Sequence, residues 1–481
     1  MLWNNQPVNP TAIPTAGSWY LVACAAGAVL VLLILIARVR LHPALALAVA
    51  AVALGVAAGM PLKQIPLSFT AGVGNLMGHI AIVLGLGAVL GRLLASSGGA
   101  AALGKTLVEG CGPRGLPWAL LLVGIVVGMP VFFEVGLVLL MPIVAESARR
   151  SGRPPILVGM PLLAGLSIVH GTLPPHPAAM LAVAQYHADL GHTILLGLCA
   201  GLPAAVVAGP VLGWLMLRQW ERTKGKSRLI PEDEETLFTA STESASGGAA
   251  AEPVAPSAGP VRAAAAILLP IALIFAGSWA DSLAAVGSLP NQVLRLVGSP
   301  DIALLIAVLV ALVTLGSRIQ TGRHHGRELL RKLTNESFEP IANVLVILAA
   351  AGGLSGILRD SGAAQATIGL AEGAHMPPLV LAWLLAAVVR VSMGSATVAM
   401  AVASAVLAPL AGQPGVSPEL LVLATGTGSL ILSHVNDPGF WMIESFFKLE
   451  VKGTLATWSV METVLSVTGL GTVLLLGAVL R

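Results

Sequence analysis

Two short polar motifs interrupt the apolar chain and carry side chains suited to binding an anion and a proton. SHVNDPGFW (residues 433–441) and HGTLPPHP (residues 170–177) each end an apolar run. Both have the form H-x-x-x-P, and their equivalent residues are 264 positions apart. His434 can donate a hydrogen bond, Asn436 can donate and accept, and Asp437 can accept or take up a proton. Two such motifs at equivalent places in two apolar halves indicate a two-part transport site.

Prolines and glycines accompany these polar side chains. In the first-half motif His170, Thr172 and His176 play the parallel part, and GMPVFFEVG (residues 128–136) places Glu134 in the middle of an apolar run. An ionisable side chain in hydrocarbon costs at least about 2.5 kcal/mol and usually marks a pathway. For any one of them, pairing within the protein or a place at the interface is the ordinary alternative. The residues predicted to break helices at the site are Gly128, Pro130, Pro174, Pro175, Gly394, Pro438 and Gly439.

A third motif, MGSATVAM (residues 393–400), predicts an anion site at a helix start. Ser395 and Thr397 follow Gly394, so free backbone N–H groups and two hydroxyls lie at the positive end of the predicted helix. Such an end can bind a carboxylate; the alternative is simple capping or packing of small residues. Glu134 and Asp437 are the candidate proton carriers, because an acid shielded from water can exchange a proton near neutral pH.

Metal and enzyme chemistry find little support in the sequence. His170 and His176 are six positions apart across two prolines, with no H-E-x-x-H pattern, so we expect no metal and no cofactor other than the coupling proton. The three cysteines are widely spaced and form no redox motif. An intramembrane enzyme would need a metal ligand set or a nucleophile–base pair, and the spacing provides neither.

Composition places the chain in a membrane. It is 56% hydrophobic and 10% charged, whereas a soluble protein carries about 25% charged residues. Windows such as Trp19–Ala37 and Ala263–Ala280 reach the roughly 18 apolar residues needed to span a bilayer. No cleavable signal peptide and no nucleic-acid signature are evident. The expected partners are membrane lipid and a small organic anion, with a homo-oligomer left open.

The predicted fold is all-α and polytopic, with about 12 spans in two inverted repeats that contain broken or re-entrant hairpins at the midplane. Basic loops place His79–Ala95 running inward and Ile341–Leu358 running outward, and LGRLLASSGGA and LSGILRDSGAA are again 264 positions apart. The predicted divisions are N-terminal helices 1–64, a first repeat 65–217, a flexible cytoplasmic linker 218–260, connecting helices 261–333 and a second repeat 334–481. A regulatory role is the alternative for the linker.

The chain resembles the gluconate permeases, a family of gluconate:proton symporters. The resemblance is carried by GMPVFFEVG, HGTLPPHP, MGSATVAM, SHVNDPGFWM and KGTLATWSVMET, which follow in family order. It implies a bacterial inner-membrane transporter that takes up sugar acids with protons, related to a larger transporter fold with re-entrant hairpins in inverted repeats. Pro438, Met393, Ala178 and Ala179 depart from the family pattern. These departures leave open a smaller substrate such as glycerate or D-serine.

The resulting hypothesis is a proton-coupled symporter for a small hydroxylated monocarboxylate, most simply gluconate. The carboxylate binds after Gly394, near Ser395 and Thr397, and the hydroxyls are recognised by His434, Asn436 and Thr172. Glu134 or Asp437 carries the proton, while His170 orients the site. Sodium coupling, a passive channel and a sensor with a transporter-like core are the remaining alternatives.

Overall fold

The computed structural model describes residues 18–109, 111–112, 114–222, 258–316, 325–364, 366 and 376–480. All regular secondary structure within these ranges is helical, which confirms the predicted all-α class. Most of the predicted linker 218–260 lies outside the described residues, as does part of the basic segment 318–332. The predicted divisions of the chain stay predictions.

Long helices alternate with short ones along the chain. Their bounds are α1 Ser18–Ala37, α2 Pro43–Ala57, α3 Gln64–Ser96, α4 Gly99–Glu109, α5 Leu116–Gly128, α6 Phe133–Ser151, α7 Pro155–Thr172, α8 Pro177–Tyr186, α9 Leu190–Arg222, α10 Pro260–Ser278, α11 Ala280–Leu283, α12 Leu289–Gly298, α13 Pro300–Thr314, α14 His325–Glu336, α15 Glu339–Asp360, α16 Pro378–Met393, α17 Ala396–Leu407, α18 Pro418–Gly428, α19 Pro438–Phe446 and α20 Val451–Val479.

Within the described ranges, six helices are long and apolar enough to cross a membrane, or eight if each bent pair is one span. The bent pairs are the two parts of α3, at 40°, and α12 with α13, at 72°. Four shorter apolar segments, including α5 and α16, fall below the roughly 20 residues of a full span. The chain is therefore a multi-pass membrane protein, and the predicted 12 spans are reached only by counting these short segments.

One predicted boundary differs from the structure. The sequence suggests that residues 61–78 lie along the interface and that a new span starts at His79. The structure instead continues one helix from Gln64 to Ser96 and bends it between Gly78 and Ile80. The polar residues of this stretch obscured its helical continuity, and the glycine at the bend provides the local weakness.

The order of elements repeats with the spacing of the motifs. The hairpin α5–α6 corresponds to α16–α17, the interrupted pair α7–α8 to α18–α19, and the long α9 to α20. Each half thus contains one broken hairpin and one helix pair separated by a polar turn. The opposite direction of the two copies stays a prediction from loop charge.

Local chemistry explains why the helices stop at the polar motifs. Gly394 ends α16 in the left-handed region at φ 72°, where glycine carries no steric penalty. Pro177 and Pro438 occupy first-turn positions of α8 and α19, where a missing N–H costs nothing. Ser395 and Asp437 are the N-caps of α17 and α19. Glycine, proline and short polar side chains thus set the ends of the helices at these motifs.

The centre of the molecule is formed by helices that are apolar on all sides. Helices α7, α17 and α18 are buried over nearly their whole lengths, as expected for helices surrounded by protein. Helices α7 and α18, one from each half, meet at Gly171 and Gly426, where a Cβ on Gly426 would lie 2.1 Å from the Gly171 carbonyl oxygen. This contact holds the ends of α7 and α18, and hence the two polar turns, close together.

Candidate functional site

Residues from both halves meet at one buried cluster. Asp437 interacts electrostatically with Glu134, His170 and Glu462, and Arg390 with His170 and Glu462. Three sequence-predicted residues, Glu134, His170 and Asp437, are thus brought together although they lie in separate motifs. The prediction of a two-part site is consistent with this arrangement.

Ring contacts join the same two halves. His170 and His176 have ring centroids 4.3 Å apart, and Phe132, beside the α5–α6 break, lies 5.9 Å from His176. Phe133 of the first half packs on Trp458 of α20 at 5.4 Å. Aromatic packing therefore fixes the first hairpin against both the first polar turn and the last helix.

An ion pair between Arg390 and Asp437 lies at the middle of the cluster. The Arg390 Nη2 donates to Asp437 Oδ2 at 2.5 Å, with side-chain exposures of 5% and 12%. Arg390 lies in the last turn of α16, where the helix dipole favours a cation, and Asp437 caps the start of α19, where it favours an anion. Both helix ends thus help to hold these charges away from water.

Further donors complete the surroundings of Asp437. The Ser433 hydroxyl donates to Asp437 Oδ2, and the Gly439 N–H donates to Oδ1 at 2.8 Å. The Trp458 indole N–H donates to Ser433 Oγ at 2.7 Å. A buried carboxylate needs such hydrogen bonds to offset its lost hydration. In the described part of the chain, Arg390 Nε and Nη1 are buried and have no partner.

The hairpin tip between α16 and α17 is pressed against the second polar turn. A Cβ on Gly394 would lie 2.2 Å from the Asn436 carbonyl oxygen, so only glycine fits there. The Asn436 amide and the His434 Nε2–H both donate to the Val391 carbonyl, at 2.9 and 3.0 Å. In this conformation the two side chains hold the end of α16.

At the start of α17, one side chain of the predicted anion site is used to cap the helix. Ser395 Oγ accepts from the Val398 N–H at 3.4 Å, which is the arrangement of a simple N-cap. The Ser395 and Thr397 side chains are half-buried. Gly394 donates its N–H to the Arg390 carbonyl, so the helix start lies one turn beyond Arg390. A ligand at this end is therefore within reach of the arginine helix.

The first polar turn carries groups that the protein leaves without partners. Within the described residues, His176 has no partner on either ring nitrogen, and the buried Nδ1 of His170 has none. Thr172 is buried and donates its hydroxyl to the Ile168 carbonyl at 2.6 Å, which leaves its oxygen able to accept. Buried polar atoms without partners are rare and costly. The turn therefore presents hydrogen-bonding capacity that a ligand can use.

Glu134 lies in a recess of the first hairpin. It is in the first turn of α6, where the helix dipole favours an acid. Its side chain is exposed by accessible area, although protein atoms surround it densely. Pro130 and Pro175 line a small cavity of about 20 Å³ beside His176 on the same hairpin.

Two residues of the cluster, Arg390 and Glu462, were not assigned a role on the basis of the sequence. Arg390 stands out as a cation in an apolar run, yet a charge inside the protein is usually paired, and its partner Asp437 lies 47 residues away. Glu462 is buried in α20, shares a hydrogen bond with Ser167, and has no partner on Oε1 within the described residues. The sequence did contain a signal for Glu462, because it is a lone acid in the long apolar segment after Thr454.

Metal-ligand geometry does not occur in the part of the chain that the structure describes. No three His, Cys, Asp or Glu side chains there lie close enough to hold an ion.

Comparison with known proteins identifies relatives across almost the whole chain. A family model described as GntP family permease matches residues 19–479. A gluconate permease of Pseudomonas aeruginosa is 42% identical over 96% of this chain and 98% of its own. The high-affinity gluconate transporter of Escherichia coli is 38% identical, and the Gnt-II system L-idonate transporter of the same organism 36%; each covers 96% of this chain and 100% of its own.

A solved structure shares the fold. The Alcanivorax borkumensis YdaH transporter, whose topology is described as unusual, superposes with a TM-score of 0.60 at 18% identity, over 91% of this chain and 98% of its own. At this identity the likeness concerns the fold alone.

Proposed function

This chain belongs to the GntP permease family, and we propose that it imports gluconate or a related small hydroxylated monocarboxylate together with protons across the bacterial inner membrane. The chain is a multi-pass permease and not an enzyme. Relatives named for gluconate and L-idonate support a sugar acid as substrate. The observation that carries the proposal is the buried ion pair between Arg390 at the end of α16 and Asp437 in the second polar turn.

The substrate carboxylate binds at Arg390 and at the start of α17. Guanidinium groups favour two-point binding of carboxylates, and Arg390 Nε and Nη1 have no protein partner within the described residues. The half-buried hydroxyls of Ser395 and Thr397 follow one turn later at a positive helix end. The arginine thus provides the charge that a capping helix end alone lacks.

The hydroxyl groups of the substrate are recognised by the two polar turns. His434 and Asn436 reach them once the contacts with the Val391 carbonyl are exchanged for substrate contacts. Thr172 accepts through its oxygen, and His170 offers the unpartnered Nδ1 that orients the site. A site built to bind hydroxyls discriminates strongly against acids that lack them, because its buried polar groups are then left unpaired.

Proton coupling follows from competition for one cation. Asp437 and the substrate carboxylate both require Arg390, so a proton on Asp437 releases the guanidinium and the substrate takes the place of the aspartate. One proton with one monocarboxylate leaves the net charge of the cluster unchanged. Glu134, in its recess and outside every ion pair of the described residues, delivers or receives that proton.

The four positions that depart from the family pattern differ in how directly they can affect the choice of substrate. Ala178 and Ala179 are fully buried in α8, inside the protein core, so they act on packing. Pro438 is exposed at the start of α19, next to Asp437, and Met393 is half-buried beside Gly394. A smaller acid such as glycerate or D-serine is the second candidate, because these two positions adjoin the proposed carboxylate site.

Uptake into proteoliposomes tests the proposal. Purified protein is reconstituted, and labelled gluconate, L-idonate, glycerate and D-serine are supplied with an inward proton gradient, an inward sodium gradient or neither. We expect accumulation of gluconate or L-idonate that requires the proton gradient and is abolished by a protonophore. Accumulation that depends on sodium, or equilibration without accumulation, would contradict proton symport and support a sodium-coupled carrier or a channel.

A further inference from the structure

A second polar cavity lies away from the central cluster. Its volume is about 290 Å³, at the lower end of the range for ligand pockets. It is bounded by α3, α8, α15 and the end of α17, and its polar lining comprises Asn75, Gln185, His187, Ser355 and Arg359. None of these five polar groups belongs to the proposed central site.

The floor of this cavity is a close helix crossing. A Cβ on Gly72 of α3 would lie 2.2 Å from the Gly352 carbonyl oxygen of α15, so the two backbones are in contact. Gly356, one turn further along α15, approaches the Ser68 carbonyl in the same way. Such small-residue crossings pack helices rigidly. The cavity therefore has one fixed wall and one formed by α8 and α17.

The lining favours an anion. Ser355 donates to Gln185 Oε1 at 3.2 Å, which orients the amide, and Gln185 Nε2 is a buried donor without a partner among the described residues. Arg359 pairs with Asp360 through Nε at 2.9 Å and remains half-exposed. The described lining residues include Arg359 and His187 but no acid. A guanidinium and a spare amide N–H are suited to a carboxylate with a neighbouring hydroxyl.

The position of the cavity corresponds to the outer face of the membrane. Helix α15 has 22 residues, about 33 Å, and runs from near the basic segment 318–332 to Arg359. Since basic loops lie on the cytoplasmic side, Arg359 lies on the opposite side.

The cavity also lies a short way from the central cluster. Helix α8 starts at the first polar turn, and α17 starts at the hairpin tip that contacts the second polar turn. Both helices end beside the cavity. At 10 and 12 residues, they put it roughly 15–18 Å from the cluster.

We propose that this cavity is an outer binding site that captures the carboxylate of the transported acid before the acid reaches the central cluster. Arg359 binds the carboxylate, and the Gln185 amide and Ser355 bind a hydroxyl. The proposal rests on the proposed import of a hydroxylated acid. It adds a separate site with its own residues, so the two can fail independently.

Transport kinetics provide the first test. In reconstituted protein, R359Q should raise the KM for gluconate about tenfold, the loss expected for one charge-assisted hydrogen bond, with the maximal rate little changed. R295Q is the matched control, because Arg295 is an exposed arginine that also pairs with an aspartate, at 2.6 Å. An unchanged KM in R359Q, with active wild-type protein, overturns the outer site and leaves the proposed function intact. Inactive wild-type protein contradicts the proposed function.

Thiol protection tests binding without transport. The S355C change is made in a chain with Cys24, Cys111 and Cys199 replaced by serine, and its reaction with N-ethylmaleimide in detergent is timed with and without gluconate. We expect gluconate to slow labelling several-fold, also when the double change R390Q/D437N has stopped transport, and to leave the labelling of S282C, in the short exposed helix α11, unchanged.

Two results of this experiment overturn the outer site. The first is protection that disappears in the folded double variant R390Q/D437N, because it would report occupancy of the central cluster. The second is protection by a short-chain anionic phospholipid but not by gluconate, which would assign the cavity to a lipid headgroup.

Discussion

The two polar turns occupy equivalent places in the repeat, yet they solve the problem of burying polar groups in opposite ways. In the second half, Asp437 accepts hydrogen bonds from Arg390, Ser433 and the Gly439 N–H. In the first half, both ring nitrogens of His176 and the Nδ1 of His170 have no partner in the described residues. In this conformation the acid of one turn is hydrogen-bonded within the protein, and the other turn offers groups that are free to bind a substrate.

This division fits a carrier better than two identical turns would. A charged group inside a membrane protein must be paired, because an isolated ion there is too costly. A substrate must also find groups that are free to bind it. The second half provides the paired charge, and the first half provides free groups for the substrate. Substitutions in the two halves should therefore have different effects.

Breaking the ion pair should have the largest effect. Because R390Q or D437N leaves one buried charge without its partner, we expect each to destabilise the protein by about 3–5 kcal/mol and to abolish proton-driven uptake. The double variant R390Q/D437N should recover most of the stability but none of the transport. Thermal unfolding in detergent and uptake in proteoliposomes measure the two effects. A double variant as unstable as either single one would show that the pair is not the relevant interaction.

Removing one hydrogen-bonding side chain from each turn should change the stability of the protein by different amounts. S433A removes the hydroxyl that joins Asp437 to the Trp458 indole, and should cost about 1–3 kcal/mol. H176L removes nitrogens that bond to nothing in the described part of the protein, and should change stability by less than about 1 kcal/mol. If H176L unfolds as easily as S433A, the contrast in satisfaction between the turns is wrong.

Neutralising Glu134 should affect coupling more than binding. E134Q keeps the shape of the side chain and removes its proton exchange, so we expect accumulation under a proton gradient to fall about tenfold or more, while exchange of labelled for unlabelled substrate continues. V135A on the neighbouring exposed position is the control. Full proton-driven accumulation by E134Q would assign the proton to Asp437 alone.

The residues of the two polar turns could be found from the sequence, but the residues that they contact could not. Gly394, Pro438 and the cap residues Ser395 and Asp437 act locally, so their effect on the backbone could be read from neighbours in the chain. The Arg390–Asp437 pair spans 47 residues and the contact of His170 with the same cluster spans the two halves. Such long-range pairings depend on helix packing that hydrophobic periodicity cannot specify in helices buried on all sides, such as α7.

His434 and Asn436 illustrate a different limit. Their residue types predicted hydrogen bonds to a substrate, whereas in this conformation both side chains donate to one carbonyl, that of Val391. A side chain that stabilises a hairpin tip in one state and binds substrate in another has the same sequence signature in both. Glu462 was missed for a simpler reason: it stands alone in its motif, without the proline or glycine that drew attention to the other acids.

The smallest effect is expected at an exposed ion pair of almost the same length. Asp281 accepts from Arg295 at 2.6 Å, against 2.5 Å for the buried pair. The hydrogen bond from Asn291, and then Arg295, lower the pKa of Asp281. The pair therefore stabilises the fold above the unfolded value, about 3.9, and loses this contribution as the pH falls through the lower folded value. Because water screens the pair, D281N at pH 7 should shift the unfolding midpoint less than S433A and leave uptake unchanged. A loss as large as that of D437N would show that burial does not distinguish the two pairs.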